Sequence, residues 1–268
     1  MTEDRIRAAD HLVDQLVAQG STHVFGVPGE SYLAVLDALH GRRDLEFVTC
    51  RQEGGAAMAA EAHGKLTGRP GLCFVTRGPG ATNASAGVHV AFQDSTPMIL
   101  FIGQVARGMI EREAFQEIDY RRMFGQMAKW VAQIDDASRI QEYVARAWRT
   151  ALSGRPGPVV LALPEDMLTD MLTPPPPPRR VEAPRYLPAP EALDALQARI
   201  ARAERPLVIA GGGGWTDAGR AALARFAETQ GLPVAVSMRA QGLMDNAHPN
   251  YVGHFAVGRA PYLADALE

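Results

Sequence analysis

Short apolar segments alternate with helical patterns across residues 1–172, and this alternation limits the possible folds more than any other feature. The apolar segments are His23–Val27, Leu45–Cys50, Leu72–Thr76, Met98–Gly103 and Pro158–Leu163. Most are nearly continuous in apolar residues, which is typical of parallel strands covered on both faces. The helical patterns are Tyr32–His40, Gly54–Leu66, Ala81–Ala91 and Ser138–Ser153. The sequence therefore predicts an α/β domain with a doubly wound, mostly parallel sheet, whose sites form at the carboxyl ends of the strands.

A proline-rich segment divides the chain. Pro174 to Pro178 are consecutive, and consecutive prolines favour extended polyproline II because they cannot donate hydrogen bonds to a helix or sheet. We expect a semi-rigid linker at 173–190, between a first domain at 1–172 and a second at 191–268; a ligand for a proline-recognition domain is the alternative. The second domain begins with a strand and a helix, at Pro206–Ala210 and Thr216–Gln230, as a Rossmann-like domain does. It is short for such a domain, which indicates that the chain is the N-terminal part of a longer protein.

Composition excludes several classes of function. The chain is 47% hydrophobic and 21% charged with a net charge of -3, which gives no electrostatic reason to expect nucleic acid or an anionic membrane surface. The first 20 residues read as an amphipathic helix, not a signal peptide, and no stretch approaches a membrane span. Cys50 and Cys73 lack metal-ligand or redox spacing. They indicate buried thiols of a reduced, cytoplasmic protein.

Unusual residues follow four of the predicted strands. In chain order they are Pro28-Gly29, Glu53-Gly54-Gly55, Gly78-Pro79-Gly80 with Asn83, and Phe115-Gln116-Glu117. Singly, each has an ordinary explanation: a turn, an acid that suits a helix N-terminus, or a solvated loop. The helix after Glu53 is rich in Ala and Gly, which allows another backbone to approach closely in a helix–helix contact, and a subunit interface is one place for such a contact.

Together the four motifs resemble the pyrimidine-binding domain of acetolactate synthases and related thiamine diphosphate enzymes. Two further segments of that family's pattern occur in the same order, Asp94-Ser95-Thr96-Pro97 and Gly103-Gln104-Val105. The resemblance covers roughly Ile6 to Leu168 and continues through Arg205–Gly242 into the family's middle domain. Six separated motifs in the family's order make it highly specific.

The resemblance implies roles for individual residues. Glu53 would hydrogen-bond N1′ of the cofactor's aminopyrimidine and so promote loss of the proton from thiazolium C2, after which the cofactor attacks a 2-keto acid and acts as an electron sink. Gln116 would be catalytic and point at the reacting centre. The implied cofactor-binding residues are Pro28, Gly29, Glu53, Thr76, Pro79, Gly80 and Asn83. Phe115 and Lys129 would line the substrate pocket, with core packing and a snorkelling surface lysine as the alternatives.

The resemblance also implies cofactors and partners. Thiamine diphosphate and Mg²⁺ are expected, with the metal and diphosphate held by a C-terminal domain that this sequence lacks, so no metal ligand is predicted here. FAD is not favoured, because Gly211–Gly214 lacks the acid of a dinucleotide site and Gly253–Gly258 departs from the flavin-contacting pattern. We expect a homodimer or homotetramer with the active site at a subunit interface, so that this chain alone is inactive.

Within the family, Ala114–Glu117 and Gly103–Val105 favour an acetolactate-synthase-like reaction. Pyruvate would be decarboxylated and its hydroxyethyl unit transferred to a second 2-keto acid, as in branched-chain amino acid biosynthesis. Benzoylformate decarboxylase-like and sulfoacetaldehyde acetyltransferase-like enzymes are the alternatives. A non-catalytic fragment or paralogue that serves as a binding module is another. His23, His63 and His89 lie outside the motifs and are interpreted as structural.

Overall fold

The computed structural model describes residues 5–184 and 186–267. The chain forms two compact units, with the boundary after Pro184. No helix within the described residues combines the length and the apolar character needed to cross a bilayer.

The first unit contains eight strands and six helices among its described residues. In chain order they are β1 (Ile6–Arg7), α1 (Ala8–Ala18), β2 (His23–Gly26), α2 (Leu33–Leu39), β3 (Glu46–Thr49), α3 (Glu53–Thr67), β4 (Gly71–Val75), α4 (Pro79–Asp94), β5 (Met98–Gln104), α5 (Tyr120–Phe124), β6 (Trp130–Gln133), α6 (Ile140–Leu152), β7 (Pro158–Pro164) and β8 (Met171–Leu172). Short 3₁₀ turns lie at Glu30–Tyr32, Arg107–Met109, Ala137–Arg139 and Met167–Thr169.

Six of these strands form one parallel sheet in the order β3-β2-β4-β5-β7-β6. The strands β2 and β3 lie on one side of β4, and β5, β7 and β6 lie on the other, which is the doubly wound arrangement predicted from the sequence. The two-residue strands β1 and β8 pair separately and antiparallel. The fold class is therefore confirmed.

Alternating side chains of the central strands pack into two separate apolar cores. In β4, Leu72 and Phe74 point to the core formed with α1, α2 and α6, whereas Cys73 and Val75 point to the core formed with α3, α4 and α5. Phe74 stacks on Phe101 of β5 with ring centroids 4.5 Å apart. Helices thus cover both faces, which is why these strands read as unbroken apolar runs.

The five strands predicted for the first unit are confirmed to within about two residues, but β6 was missed. This strand lies at the edge of the sheet, and of its four residues only Ala132 is fully buried. A short edge strand buries too little to show a continuous apolar run. The sequence pattern consequently left residues 104–137 without an assigned element.

The second unit is a small α/β structure. Its elements are α7 (Pro190–Arg202), β9 (Val208–Ala210), α8 (Asp217–Gln230), β10 (Val234–Ser237), a 3₁₀ turn at Met238–Leu243, β11 (Tyr251–Phe255) and α9 (Pro261–Asp265). The three strands are parallel in the order β11-β10-β9. The predicted strand and helix after the linker are confirmed, whereas α7 and β11 were not predicted.

Part of the proline-rich segment is attached to the first unit. The amide of Gln19, at the end of α1, donates to the carbonyl of Arg179 at 3.0 Å and accepts from the backbone N–H of Val181 at 2.8 Å. The Val181 side chain also packs against the first apolar core. At the other end, α7 begins at Pro190, the proline at its first turn suiting a helix start. The domain boundaries drawn from the sequence stay predictions.

Both cysteines are free thiols. Cys73 is buried and burial raises the pKa of its thiol, whereas Cys50 is only half-buried.

Candidate active site

The four unusual strand exits lie at the same edge of the sheet. They follow β3, β2, β4 and β5, which are neighbours in the order given above. Since all four strands are parallel, their carboxyl ends meet, and the loops that leave them lie side by side. The parallel order thus collects motifs that are far apart in sequence.

Glu53 is the first residue of α3. The side chain of Gln52 caps this helix by accepting from the backbone N–H of Gly55 at 2.8 Å. The Glu53 carboxylate is half-buried, and its Oε2 accepts a hydrogen bond of 3.0 Å from the side-chain amide of Asn83 on α4. Within the described residues, Oε1 accepts no hydrogen bond. One oxygen is therefore fixed and the other remains available.

Glycines allow close backbone packing next to this carboxylate. A Cβ on Gly80 would lie 3.6 Å from Oε1 of Glu53 and 2.9 Å from the methyl carbon of Thr76. A Cβ on Gly29 would lie only 2.5 Å from Cβ of Thr76. The structure thus places Asn83 and Gly80 beside Glu53, with Thr76 packed against Gly80 and Gly29 packed against Thr76. Pro28 and Pro79 lie in the same loops and are exposed.

Buried Ser31 fixes the orientation of the loop after β4. Its hydroxyl lies 2.8 Å from that of Thr76 and accepts the backbone N–H of Arg77 at 3.2 Å. A Cβ on Gly103 would lie 2.2 Å from Oγ of Ser31, so the glycine of the predicted Gly103-Gln104-Val105 motif is needed for this contact. Ser31 was not predicted as a site residue.

Gln116 has a left-handed backbone conformation with φ of 65°. Left-handed values are uncommon for residues other than glycine, and they often mark functional sites. Gly78, itself at φ 59°, packs directly on it: a Cβ on Gly78 would lie 2.6 Å from Cβ of Gln116. The loop after β5 therefore contacts the loop after β4 at this point.

The loop that carries Gln116 is held in place by the carboxylate of Glu117, a residue of the same loop. Glu117 accepts the backbone N–H groups of Glu111 at 2.6 Å and Ala114 at 3.2 Å. Buried Gln104 donates to the carbonyl of Ile118 at 3.0 Å. Glu117, which the resemblance grouped with the catalytic motif, thus acts within the loop as a structural residue.

Tyr120 connects α5 to the same loops. Its hydroxyl accepts the backbone N–H of Gly78 at 3.0 Å. Burial raises the pKa of Tyr120 to about 12, so the phenol stays protonated at neutral pH. It is a neutral anchor for Gly78.

Arg77 is the charged residue that sequence reasoning overlooked. Its side chain is largely buried and donates to the carboxylates of Glu30 at 2.9 Å and Glu165 at 3.0 Å. Its Nε donates to the carbonyl of Phe115 at 3.1 Å. The available signal was a single charge within an otherwise small and neutral loop, Thr76-Arg77-Gly78.

The two predicted substrate-pocket residues lie in different places. Phe115 is 73% exposed in the loop after β5, next to Gln116. Lys129 lies at the amino end of β6, where its ammonium donates to the carbonyls of Thr150 and Ser153. Burial lowers the pKa of this lysine. The fold of the single chain therefore separates Lys129 from the other predicted site residues, and its role in a substrate pocket stays a prediction.

The Ala- and Gly-rich helix α3 makes its close contact within the chain, with α4. A Cβ on Gly87 would lie 2.5 Å from Cβ of Ala57 and 2.9 Å from the backbone nitrogen of Met58. The small side chains thus explain an intrachain helix contact, and this contact places Asn83 beside Glu53. They do not by themselves require a subunit interface.

A cavity of about 260 Å³ lies at the opposite, amino-terminal end of the sheet. It is lined by Ser21, His23, His63, Arg69 and Trp148, among others. Burial, with help from His23 and Arg69, lowers the pKa of His63. Neither histidine faces the strand-exit loops, in line with their structural interpretation.

Comparison with known families agrees with this geometry. Residues 6–123 match the thiamine pyrophosphate enzyme N-terminal TPP-binding domain, and residues 193–268 match the central domain of the same enzymes. Thiamine pyrophosphate is the same compound as thiamine diphosphate. The chain belongs to this family, and the resemblance drawn from its motifs is confirmed.

The relatives are acetolactate synthases. The chain is similar to the probable acetolactate synthase large subunit of Methanocaldococcus jannaschii, with 35% identity over 92% of this chain and 43% of the relative. It is 34% identical to the large subunit of Corynebacterium glutamicum over 93% of this chain and 40% of that protein. It is also 34% identical to the acetolactate synthase isozyme 2 large subunit of Escherichia coli, over 92% of this chain and 45% of that protein. The chain thus spans somewhat less than half the length of these relatives.

Proposed function

We propose that this chain supplies the pyrimidine-recognising, proton-transferring half of a thiamine diphosphate site in an acetolactate-synthase-like enzyme. One observation carries the proposal: Glu53 is held by Asn83 through one oxygen, while its second oxygen accepts no hydrogen bond within the described residues and lies beside Gly80, which has no side chain to cover it. A carboxylate with one fixed and one free oxygen is suited to share a proton with a ring nitrogen.

The residues of this site fit thiamine diphosphate. Gly29 and Gly80 have no side chains, which lets the loop after β2 and the start of α4 pack against Thr76, where a Cβ on either glycine would lie within 2.9 Å of the threonine. Pro28 and Pro79 are exposed beside these glycines, so a ligand can reach them. When bound, the cofactor supplies a nucleophilic carbon and an electron sink for decarboxylation. Glu53 would hold the proton at the pyrimidine nitrogen, and Asn83 would keep the carboxylate aimed at it.

On the substrate side, Gln116 and Phe115 are the proposed contacts with a 2-keto acid. Both lie on the loop after β5, which contacts Gly78 of the cofactor loop. A glutamine amide can donate to a carboxylate or carbonyl oxygen. The exposed Phe115 ring offers an apolar surface for a short alkyl substituent such as the methyl group of pyruvate. The favoured reaction is decarboxylation of pyruvate and transfer of the two-carbon unit to a second 2-keto acid.

The remaining parts of the site come from outside this chain in our proposal. Mg²⁺ and the diphosphate would be held by a further domain, and the site would be completed at the interface of a homodimer or homotetramer in the cytoplasm. FAD is not part of the proposal. The relatives are more than twice as long as the matched segment, which leaves room for such a domain in the proteins they represent.

The test is an assay of the intact protein with pyruvate, Mg²⁺ and thiamine diphosphate. We expect cofactor-dependent formation of acetolactate, and a loss of at least about 100-fold in kcat for Glu53→Gln, the scale of a general acid–base contribution. The matched control is Glu142→Gln, an exposed carboxylate on α6 paired with Arg139. Full activity of Glu53→Gln would refute the role of this residue.

Substrate alternatives are separated in the same assay. Benzoylformate and sulfoacetaldehyde replace pyruvate in parallel reactions, and turnover of one of them in place of pyruvate would reassign the reaction within the family. A protein that neither binds thiamine diphosphate nor converts any of the three substrates would refute the enzyme proposal and leave a binding module as the better interpretation.

A further inference from the structure

Arg77 joins three of the strand exits through one buried side chain. Its Nη1 and Nη2 bind Glu165 after β7 and Glu30 after β2, and its Nε binds the carbonyl of Phe115 in the loop after β5. Arg77 itself follows β4. Only 10% of its side-chain surface is exposed, compared with 63% for Glu30 and 43% for Glu165. The guanidinium is therefore the fixed centre of this group of residues.

The two carboxylates hold the guanidinium in one orientation. A buried charge is costly unless it is paired and hydrogen-bonded, and the planar fork of arginine has a defined geometry for two carboxylates. Glu165 is further anchored because its backbone N–H donates to the carbonyl of Gln104 at 3.0 Å. With both terminal nitrogens occupied, the direction of the Nε–H bond is set, and it points at the Phe115 carbonyl.

That carbonyl belongs to the peptide unit between Phe115 and Gln116. Because a peptide unit is planar, fixing its C=O also fixes the N–H on the other side. The bond from Arg77 thereby restrains ψ of Phe115 and φ of Gln116, the dihedral that has the left-handed value of 65°. Gly78 packs on the same residue from the cofactor loop.

We propose that Arg77 is a positioning residue, which holds the Phe115–Gln116 peptide in its strained orientation and so aims both side chains at the mouth of the candidate site. Arg77 itself does not touch the substrate in this proposal. The consequence for catalysis rests on the proposed function, whereas the consequence for the loop does not. When the bond to Phe115 is lost, the peptide is free to turn and Gln116 relaxes to the ordinary negative φ region.

The first experiment measures the loop without any cofactor. Hydrogen–deuterium exchange of residues 108–119 in the intact protein is compared for wild type, Arg77→Met and Arg77→Lys. We expect exchange to accelerate at least roughly tenfold in Arg77→Met, the factor implied by loss of a hydrogen bond to a charged group. The matched control is Arg42→Met, which also removes a guanidinium bound to two carboxylates, Asp14 and Asp44, at the opposite end of the sheet. Unchanged exchange in Arg77→Met overturns the proposal.

A charge-balanced variant keeps the test valid if Arg77→Met does not fold. Combining Arg77→Met with Glu30→Gln and Glu165→Gln removes the unpaired carboxylates along with the arginine. The proposal predicts faster exchange of residues 108–119 in this variant too. Exchange as slow as in wild type would show that the arginine is needed only to neutralise its carboxylates, and the positioning role would be overturned.

The second experiment measures the catalytic consequence. In the holoenzyme, Arg77→Ala should lower kcat about tenfold or more, and added guanidinium ion should restore a substantial part of it, because a free guanidinium can occupy the vacated position. Restoration of kcat together with slower exchange of residues 108–119 supports positioning of the loop, because neutralising Glu30 and Glu165 alone would leave the exchange of the loop unchanged. A drop in kcat without any restoration overturns the catalytic part. If the wild type itself lacks thiamine-dependent turnover, the proposed function fails, and the exchange experiment still decides the positioning role.

Discussion

The side-chain amide of Asn83 donates a 3.0 Å hydrogen bond to the carboxylate of Glu53. Asn83 lies in the second turn of α4 and Glu53 begins α3, two helices that pack closely through Ala57 and Gly87. Because the two helices pack together, this hydrogen bond fixes the orientation of one oxygen of the Glu53 carboxylate. Glu53 and Asn83 belong to separate motifs in the sequence, and the parallel sheet makes them one unit.

Removing this amide should impair catalysis more than stability. Asn83→Ala removes the donor that holds Oε2 of Glu53, so the carboxylate can leave its position, and misplacing a reacting group by about 1 Å can cost about 100-fold in rate. We expect kcat of the holoenzyme to fall roughly tenfold or more, while the urea midpoint changes little because the pair is exposed at one side. Gln93→Ala, at the exposed end of α4, is the control. A kcat within twofold of wild type would contradict the orienting role of Asn83.

Two glycine-to-alanine substitutions should change the free energy of unfolding in opposite directions, because only one of them lies in the close contact between α3 and α4. Gly87→Ala brings a methyl group within 2.5 Å of the Ala57 side chain, and overpacking of this kind costs about 1–3 kcal/mol. Gly219→Ala in α8 meets nothing closer than 3.4 Å, so it should stabilise the second unit by up to about 1 kcal/mol through helix propensity. Chemical denaturation of both variants checks the signs. Equal effects would mean that the helix contact is looser than described.

The sheet could be predicted because it is buried on both faces. Each central strand, such as Leu72–Thr76 or Met98–Gly103, reads as a short apolar run bounded by glycine or polar residues, and the helices between them keep an apolar face. The edge strand β6 could not be predicted, since three of its four residues are only half-buried. The helix α5 could not be predicted because five residues are too few to show a helical period. Strand order along the sheet was also beyond the local pattern.

The candidate site was predictable only in part. Residues that follow strands, such as Glu53 and Asn83, could be grouped because parallel strands end at one edge. The partners of Arg77 could not, because Glu30, Phe115 and Glu165 are separated from it by 38 to 88 residues. Nor does a sequence pattern reveal that Gln116 has a positive φ, since that value results from contacts between two loops.

The stability of the first unit should depend on pH through His11. This histidine of α1 is 4% exposed, and within the described residues its Nε2 has no hydrogen-bond partner. Burial lowers its pKa, with Asp14 opposing in part. The native state therefore takes up a proton at a lower pH than the unfolded chain, whose histidine titrates near 6.5. The contribution of neutral His11 to the free energy of unfolding is complete above pH 6.5. It is lost as the pH falls through the native pKa, with a slope of at most about 1.4 kcal/mol per pH unit.

His11→Met should flatten this acid dependence. Urea unfolding at pH 7.5, 6.0 and 5.0 is expected to show a smaller loss of stability in the variant than in wild type. A residual slope is expected from His63, whose pKa is also lowered by burial. His40→Met removes an exposed histidine as the control. The same slope for His11→Met as for wild type would exclude His11 as the source.

Gln19 should control access of proteases to the middle of the proline-rich segment. Its amide makes two hydrogen bonds to the backbone of Arg179 and Val181, each contributing about 0.5–1.5 kcal/mol. Gln19→Ala releases this backbone to water, so trypsin should cleave after Arg179 and Arg180 roughly 5- to 100-fold faster, because cleavage requires the segment to leave the surface. Gln126→Ala, which removes an exposed amide, is the control. If both variants are cleaved at the wild-type rate, the segment is held by the Val181 side chain and not by Gln19.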